Sequence, residues 1–190
     1  MRTFHLKSIT DDHCKFMRRL LADFATKSGG SMKGEPGCVK ELLNGDNLPK
    51  NDRECFESIV TDACNEIGRM MRLDLKVVRH ALLLYTKNGR HHMHSDYPDV
   101  LNNFSASINL SHDCTGGRLK FYRPQTRVTT KKQWRWHLQS HMRKAYPVYT
   151  VGSSNQYDAN VFDARLLHEV ERVDDGERLV LTLWMICETA

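Results

Sequence analysis

The sequence predicts a mainly β protein, a jelly roll or related barrel backed by N-terminal helices, and three observations carry that prediction. From Leu75 onward, short apolar runs are punctuated by turn residues such as Lys87-Asn88-Gly89 and Asp174-Asp175-Gly176. Within that region Phe104, Ala106, Ile108 and Leu110 alternate with Asn103, Ser105, Ser107 and Asn109, the period-two pattern of a half-buried strand. Residues 1–72 instead repeat their apolar residues at helical spacing.

Taken in order, Asp11-Asp12 open a helical segment to about Lys27, with Phe16, Leu20, Leu21 and Phe24 on one face, and Gly29-Gly30 stop it. Residues 28–51 read as loop, with a short helical turn at Val39 to Leu43. Asn51-Asp52 cap a second helix to about Arg72, whose apolar residues include Phe56, Ile59, Val60, Ala63 and Ile67. Leu75 to Tyr85, Asn103 to Leu110 and Arg118 to Tyr122 read as strands, and Ser111 to Gly117 as a loop. No internal repeat or domain boundary is visible, so residues 1–190 read as one domain: a helical support over 1–72 and a β core over 73–190.

The stretch from Val161 to Trp184 reads as two strands around a three-residue loop, Asp174-Asp175-Gly176, with Gly at its left-handed position. That hairpin would set His168 opposite Thr182 and point His168 and Arg178 to one side. Glu169 and Glu171 would face water, whereas Leu179, Leu181, Leu183 and Met185 would need an apolar backing, supplied by the helices. His94-Ser95-Asp96, read as a strand with both side chains on one face, joins His168 to make two imidazoles and one carboxylate. Such a facial triad suits Fe(II) and leaves positions open on one side of the ion. The spacing of His92-Met93-His94 also fits a cupin metal motif, but no suitably placed Glu completes that set.

On these residues the chain resembles the Fe(II)/2-oxoglutarate-dependent dioxygenases of the prolyl 4-hydroxylase-like superfamily. The resemblance runs from about Val77 to the C-terminus, interrupted between about Gln125 and Asn155. Tyr85, Gly89, His94-x-Asp96, Gly116-Gly117, Phe121, His168 and Arg178, ten residues after that histidine, carry it together with Trp184. It implies a double-stranded β-helix in which His94, Asp96 and His168 hold Fe(II). Arg178 would grip the distal carboxylate of 2-oxoglutarate, with Tyr85 and Thr182 adding hydrogen bonds, while Trp184 packs. The implied reaction consumes O₂ and 2-oxoglutarate, releases succinate and CO₂ and hydroxylates a C–H bond, with ascorbate as reductant. The substrate would be a protein or peptide residue, prolyl among the options, or a small amino-acid-like molecule. Nucleic-acid dealkylating relatives carry a second Arg six residues after the first, a position held here by Trp184, which argues against that branch.

Composition is that of an ordinary folded chain, with 40% hydrophobic and 27% charged residues. No apolar run approaches the roughly 18 residues that span a bilayer, and the start lacks a signal-peptide pattern, so a cytoplasmic address with six free cysteines and no membrane partner is expected. The interval 118–144 departs from the family pattern: nine Lys or Arg and no Asp or Glu, with Trp134 and Trp136 flanking Arg135. As the whole chain carries only +5, this basicity is local. The insertion at about 124–155 reads as a solvated loop, as a lid over the iron, or as a surface for nucleic acid or an acidic partner. Two alternatives to the oxygenase reading follow: a non-catalytic, cupin-like metal-binding protein, and a basic nucleic-acid-binding module on an oxygenase scaffold.

Overall fold

A computed structural model describes residues 1–27, 38–45, 47–96, 103–122 and 148–188. The elements in chain order are β1 (Arg2–His5), α1 (Asp11–Phe24), β2 (Thr26–Lys27), β3 (Val39–Leu43), α2 (Lys50–Met71), β4 (Leu75–Tyr85), β5 (His91–His94), β6 (Phe104–Gly116), β7 (Leu119–Tyr122), β8 (Val148–Val151), β9 (Asp158–Asp163), β10 (His168–Val170) and β11 (Val173–Cys187). They form a seven-stranded sheet in the order β1-β9-β6-β11-β4-β3-β2 and a four-stranded sheet in the order β5-β10-β7-β8. The strand pairings are antiparallel, as a double-stranded β-helix requires.

Alternation along β11 divides the apolar residues between two cores. Leu179, Leu181, Leu183 and Met185 join Met17, Leu20 and Leu21 of α1 and Phe56, Ile59, Val60, Ala63 and Ile67 of α2 on the outer face of the large sheet. Val180 faces the other way and packs between the sheets with Ala81, Leu83, Tyr85, Phe121, Phe162 and Val170. The helices are therefore the apolar backing that the leucine face demands. Thr10 caps α1 through its side chain, with Asp11 and Asp12 in the first turn, and the left-handed Arg72 closes α2. Among the described residues no helix is long and apolar enough to cross a membrane, and the six cysteines are free thiols.

The predicted hairpin between Val161 and Trp184 does not form. β10 pairs with β5 and β7 in the small sheet, so His168 opposes His94 and Phe121, while Thr182 opposes Ala81 and Ser107 in the large one. Asp174-Asp175-Gly176 belongs to β11, whose first residues pair with the end of β6. Gly176 does take a left-handed conformation, at φ 81°, but within an irregular stretch of the β6–β11 ladder rather than a loop. A Cβ there would lie 2.1 Å from the Asp113 carbonyl oxygen, so the close backbone approach demands glycine. The segment expected as loop, Ser111 to Gly117, is strand as far as Gly116 because β11 supplies its partner.

Two other local expectations are corrected. Val39 to Leu43 is not a turn of helix but the strand β3, because pairing with β4 satisfies its backbone and buries Val39 and Leu42. Glu169 does not face water: it is buried and accepts a hydrogen bond from Tyr122 Oη, whereas Glu171 pairs with Arg118 and Lys120. Those two cations are the described part of the basic interval, and both pair with one carboxylate, which offsets one of the two charges. The rest of that interval, with Trp134 and Trp136, and the Gly29-Gly30 helix stop lie outside the described residues.

Candidate metal and co-substrate site

The two sheets face each other across a cavity of about 210 Å³. Six residues singled out in the sequence, Tyr85, His94, Asp96, His168, Arg178 and Thr182, all line it. They arrive from both sheets: His94 from β5 and His168 from β10 on one side, Tyr85 from β4 and Arg178 and Thr182 from β11 on the other. Asp96 does not share a strand with His94, since β5 ends at His94. Its backbone N–H instead donates to the Ala164 carbonyl at 3.0 Å, and that anchor turns its carboxylate toward the two imidazoles.

At one end of the cavity the donors converge. Asp96 Oδ1 lies 3.6 Å from His94 Nε2, and Asp96 Oδ2 lies 3.9 Å from His168 Nε2. One ligand atom from each residue falls within 4.8 Å of the others. Both imidazoles are oriented from behind: His94 Nδ1 donates to the His92 carbonyl at 2.7 Å and His168 Nδ1 to the Leu166 carbonyl at 2.9 Å. A carbonyl oxygen only accepts, so Nδ1 of each ring carries the proton it donates and Nε2 is the nitrogen that faces Asp96. Burial, then the neighbouring His94, pushes the His168 imidazole well below its ordinary pKa, which keeps it neutral and able to ligate at neutral pH. Ser105 Oγ donates to Asp96 Oδ2 at 2.5 Å and orients the carboxylate. Three acceptors meeting in a buried space repel one another unless a cation joins them, and a mixed N/O set suits Fe(II).

At the other end lies Arg178, 1% exposed. Its Nη2 donates to Asn109 Oδ1 at 3.0 Å and to Ser107 Oγ at 3.4 Å. Among the described residues, the buried Nε and Nη1 have no hydrogen-bond partner and no carboxylate pairs with this guanidinium. Burial pushes its pKa down, but an arginine remains charged. Two unsatisfied N–H directions on a buried cation fit the carboxylate of a bound acid. Tyr85 sits beside it, with the Arg178 guanidinium carbon 5.7 Å from the ring centroid and Tyr85 Oη 2.6 Å from His91 Nδ1. Burial raises the Tyr85 phenol above its ordinary pKa, so it stays a neutral donor. Thr182 also lines the cavity.

Ser105, Ser107 and Asn109 are the supporting residues that sequence reasoning missed. Their alternation with Phe104, Ala106 and Ile108 was visible, but a polar strand face reads as facing solvent unless a second sheet is known to cover it. All three are buried.

Comparison with known proteins agrees with this geometry. Among curated protein sequences none matches the chain. A structure of an oxidoreductase of the 2OG-Fe(II) oxygenase family from Burkholderia pseudomallei is similar, with a TM-score of 0.66 and 19% identity, covering 97% of this chain and 84% of that one. A Pseudomonas putida prolyl-4-hydroxylase superposes with a TM-score of 0.63 at 15% identity, covering 99% and 92%. HygX from Streptomyces hygroscopicus, solved with nickel and 2-oxoglutarate bound, gives 0.61 at 11% identity, covering 98% and 82%. At such identities the likeness speaks for the fold. The sequence profile of the 2OG-Fe(II) oxygenase superfamily matches residues 80–186, more than half of the chain. With a described His-Asp-His cluster inside that match, the chain belongs to the 2OG-Fe(II) oxygenase superfamily and is a 2-oxoglutarate-dependent dioxygenase that uses Fe(II).

Proposed function

We propose that this enzyme hydroxylates a C–H bond of a peptide residue, prolyl among the candidates, or of a small amino-acid-like molecule. His94, Asp96 and His168 hold the metal in this reading, and Arg178 takes the distal carboxylate of 2-oxoglutarate with Tyr85 and Thr182 beside it. Fe(II), when bound, supplies the redox chemistry that couples O₂ to decarboxylation of the 2-oxo acid. The protein holds the reactants: Nδ1 donors keep both imidazoles aimed, Ser105 keeps the Asp96 carboxylate oriented, and the apolar walls from Leu119, Phe162 and Val180 exclude water.

The observation that carries this reading is the buried, anion-less Arg178 guanidinium in the same cavity as the convergent His-Asp-His cluster. A plain metal-binding protein has no use for such a charge, whose burial is unfavourable by itself. Turnover with Fe(II), 2-oxoglutarate and isotopically labelled O₂ tests the proposal. One labelled oxygen atom should enter the substrate per succinate released when proline, prolyl peptides and free amino acids are surveyed by mass spectrometry. Labelled succinate accompanied by an oxidised but unlabelled organic product would contradict hydroxylation while leaving the oxygenase assignment intact.

A further inference from the structure

The cavity contains a second arginine that the co-substrate does not use. Arg79 on β4 stacks over the Trp184 ring, with its guanidinium carbon 5.1 Å from the centroid. Both residues are half-buried and line the same cavity as the His-Asp-His cluster. Among the described residues Arg79 makes no ion pair, although Glu41 lines the cavity from the neighbouring strand. The Trp184 indole N–H is buried and, among the described residues, also lacks an acceptor.

The strand register places this pair beside the metal-ligating residues. Asp96 is held by Ser105, Ser105 opposes Trp184, and Trp184 opposes Arg79. With about 4.8 Å between neighbouring strands, Arg79 stands roughly 10 Å from Ser105 on the same row of the sheet. Arg178 is six residues away along β11, on the order of 20 Å at 3.3 Å per residue. Among the described residues, the cavity thus has a guanidinium without an anion toward each end. 2-Oxoglutarate answers the one at Arg178, and its other end is drawn to the metal.

Resting on the function proposed above, we propose that Arg79 and Trp184 form the recognition site for a carboxylate carried by the substrate that is hydroxylated. The stack on the indole holds the guanidinium plane in place and leaves its edge free to donate twice, while Trp184 Nε1 supplies a third donor. The substrate is then an acid whose carboxylate lies a few bonds from the carbon attacked.

The test uses the full chain loaded with Mn(II) and saturating 2-oxoglutarate, with trifluoroacetate as the probe followed by fluorine NMR. Paramagnetic broadening of the probe should be saturable, and neutral trifluoroacetamide should show none. Arg79→Gln should weaken the apparent probe affinity about tenfold or more without changing 2-oxoglutarate affinity, and Arg79→Lys should recover part of it. Trp184→Phe, which keeps a stacking ring but removes the donor, should fall between wild type and Arg79→Gln. A thermal melt of each variant checks that it is folded. Absence of saturable broadening, equal broadening in Arg79→Gln, or a parallel loss of 2-oxoglutarate affinity would overturn the proposal. Displacement of the probe by L-proline, or instead by an N-acetylated, C-amidated aspartyl peptide, tells whether the carboxylate belongs to a free acid or to a peptide side chain. Displacement by neither reduces the site to an adventitious small-anion contact and overturns it. Mn(II) and 2-oxoglutarate uptake is read separately, so failure of the enzymatic reading is distinguishable from failure of this one.

Discussion

The Arg178 guanidinium sits where a positive charge is hardest to keep, 1% exposed and with two nitrogens unbonded. Such a charge is unfavourable to the fold until an anion arrives to pair with it. Arg178→Met should therefore stabilise the metal-free protein by about 1 kcal/mol, seen as a higher melting temperature, even after the loss of its bonds to Asn109 and Ser107. The same variant should lose 2-oxoglutarate affinity by about 100-fold, the equivalent of roughly 3 kcal/mol for a charged, two-bond contact. Calorimetry with Mn(II)-loaded protein reads the second effect, and thermal melting the first. The candidate residues that share the cavity were legible because each is a chemically committed side chain: imidazole, carboxylate and guanidinium at telling separations. Ser105, Ser107 and Asn109 were not, because short polar residues look alike on a solvated face and on a buried one, and only the second sheet tells them apart.

At the level of the elements, register carries the site. The sequence correctly marked Gly176 as left-handed but assigned it to a hairpin that would have placed His168 opposite Thr182. His168 and Arg178 do share a cavity, yet by facing one another across two sheets rather than by lying on one. Pairing partners distant in sequence are not encoded in local periodicity, which is why β3 was mistaken for a turn of helix and the end of β6 for a loop. Gly176→Ala tests the irregular β6–β11 contact: with φ at 81° and the Asp113 carbonyl 2.1 Å from the added Cβ, the protein should lose about 2–3 kcal/mol in denaturant melts. A second element-scale device is Glu66 of α2, whose carboxylate accepts from the Lys7 and Ser8 backbone N–H groups at 2.8–3.0 Å and ties the β1–α1 connection to α2. Burial raises this carboxyl's pKa, but the Lys7 and Ser8 donors more than offset it and hold it below its ordinary 4.5. Its contribution is therefore present above that value and is lost as pH falls through the lower folded-state pKa. Glu66→Gln should cost about 1–2 kcal/mol at neutral pH, with the gap to wild type closing in acid-titrated melts below pH 4.5.

Across the whole molecule, the cavity joins two sheets that otherwise meet through a modest apolar cluster around Leu83, Phe121, Phe162 and Val180. His94 and His168 come from the small sheet, and Arg178 and the Ser105 that holds Asp96 come from the large one. Metal and 2-oxoglutarate together should thus fasten the sheets to each other. At 100 times the dissociation constant, binding adds about 2.7 kcal/mol, which for a chain of this size is a rise of roughly 5–11 °C in melting temperature. The shift should disappear on chelation and should not arise with 2-oxoglutarate alone. Helix backing, sheet class and leucine face were all readable in advance, since amphipathic patterns report which side of an element is dry. The partner of each strand, and so the shape of the cavity, emerges only when the chain closes on itself.

The most direct test is succinate formation by the purified chain supplied with Fe(II), ascorbate, O₂ and 2-oxoglutarate, compared with His94→Ala, Asp96→Ala and Arg178→Gln. Wild type should convert 2-oxoglutarate even without its second substrate, the two ligand variants should be silent, and Arg178→Gln should respond only at greatly raised 2-oxoglutarate. Succinate production that survives loss of Asp96, or a wild type that binds both iron and 2-oxoglutarate yet never decarboxylates, would contradict the account.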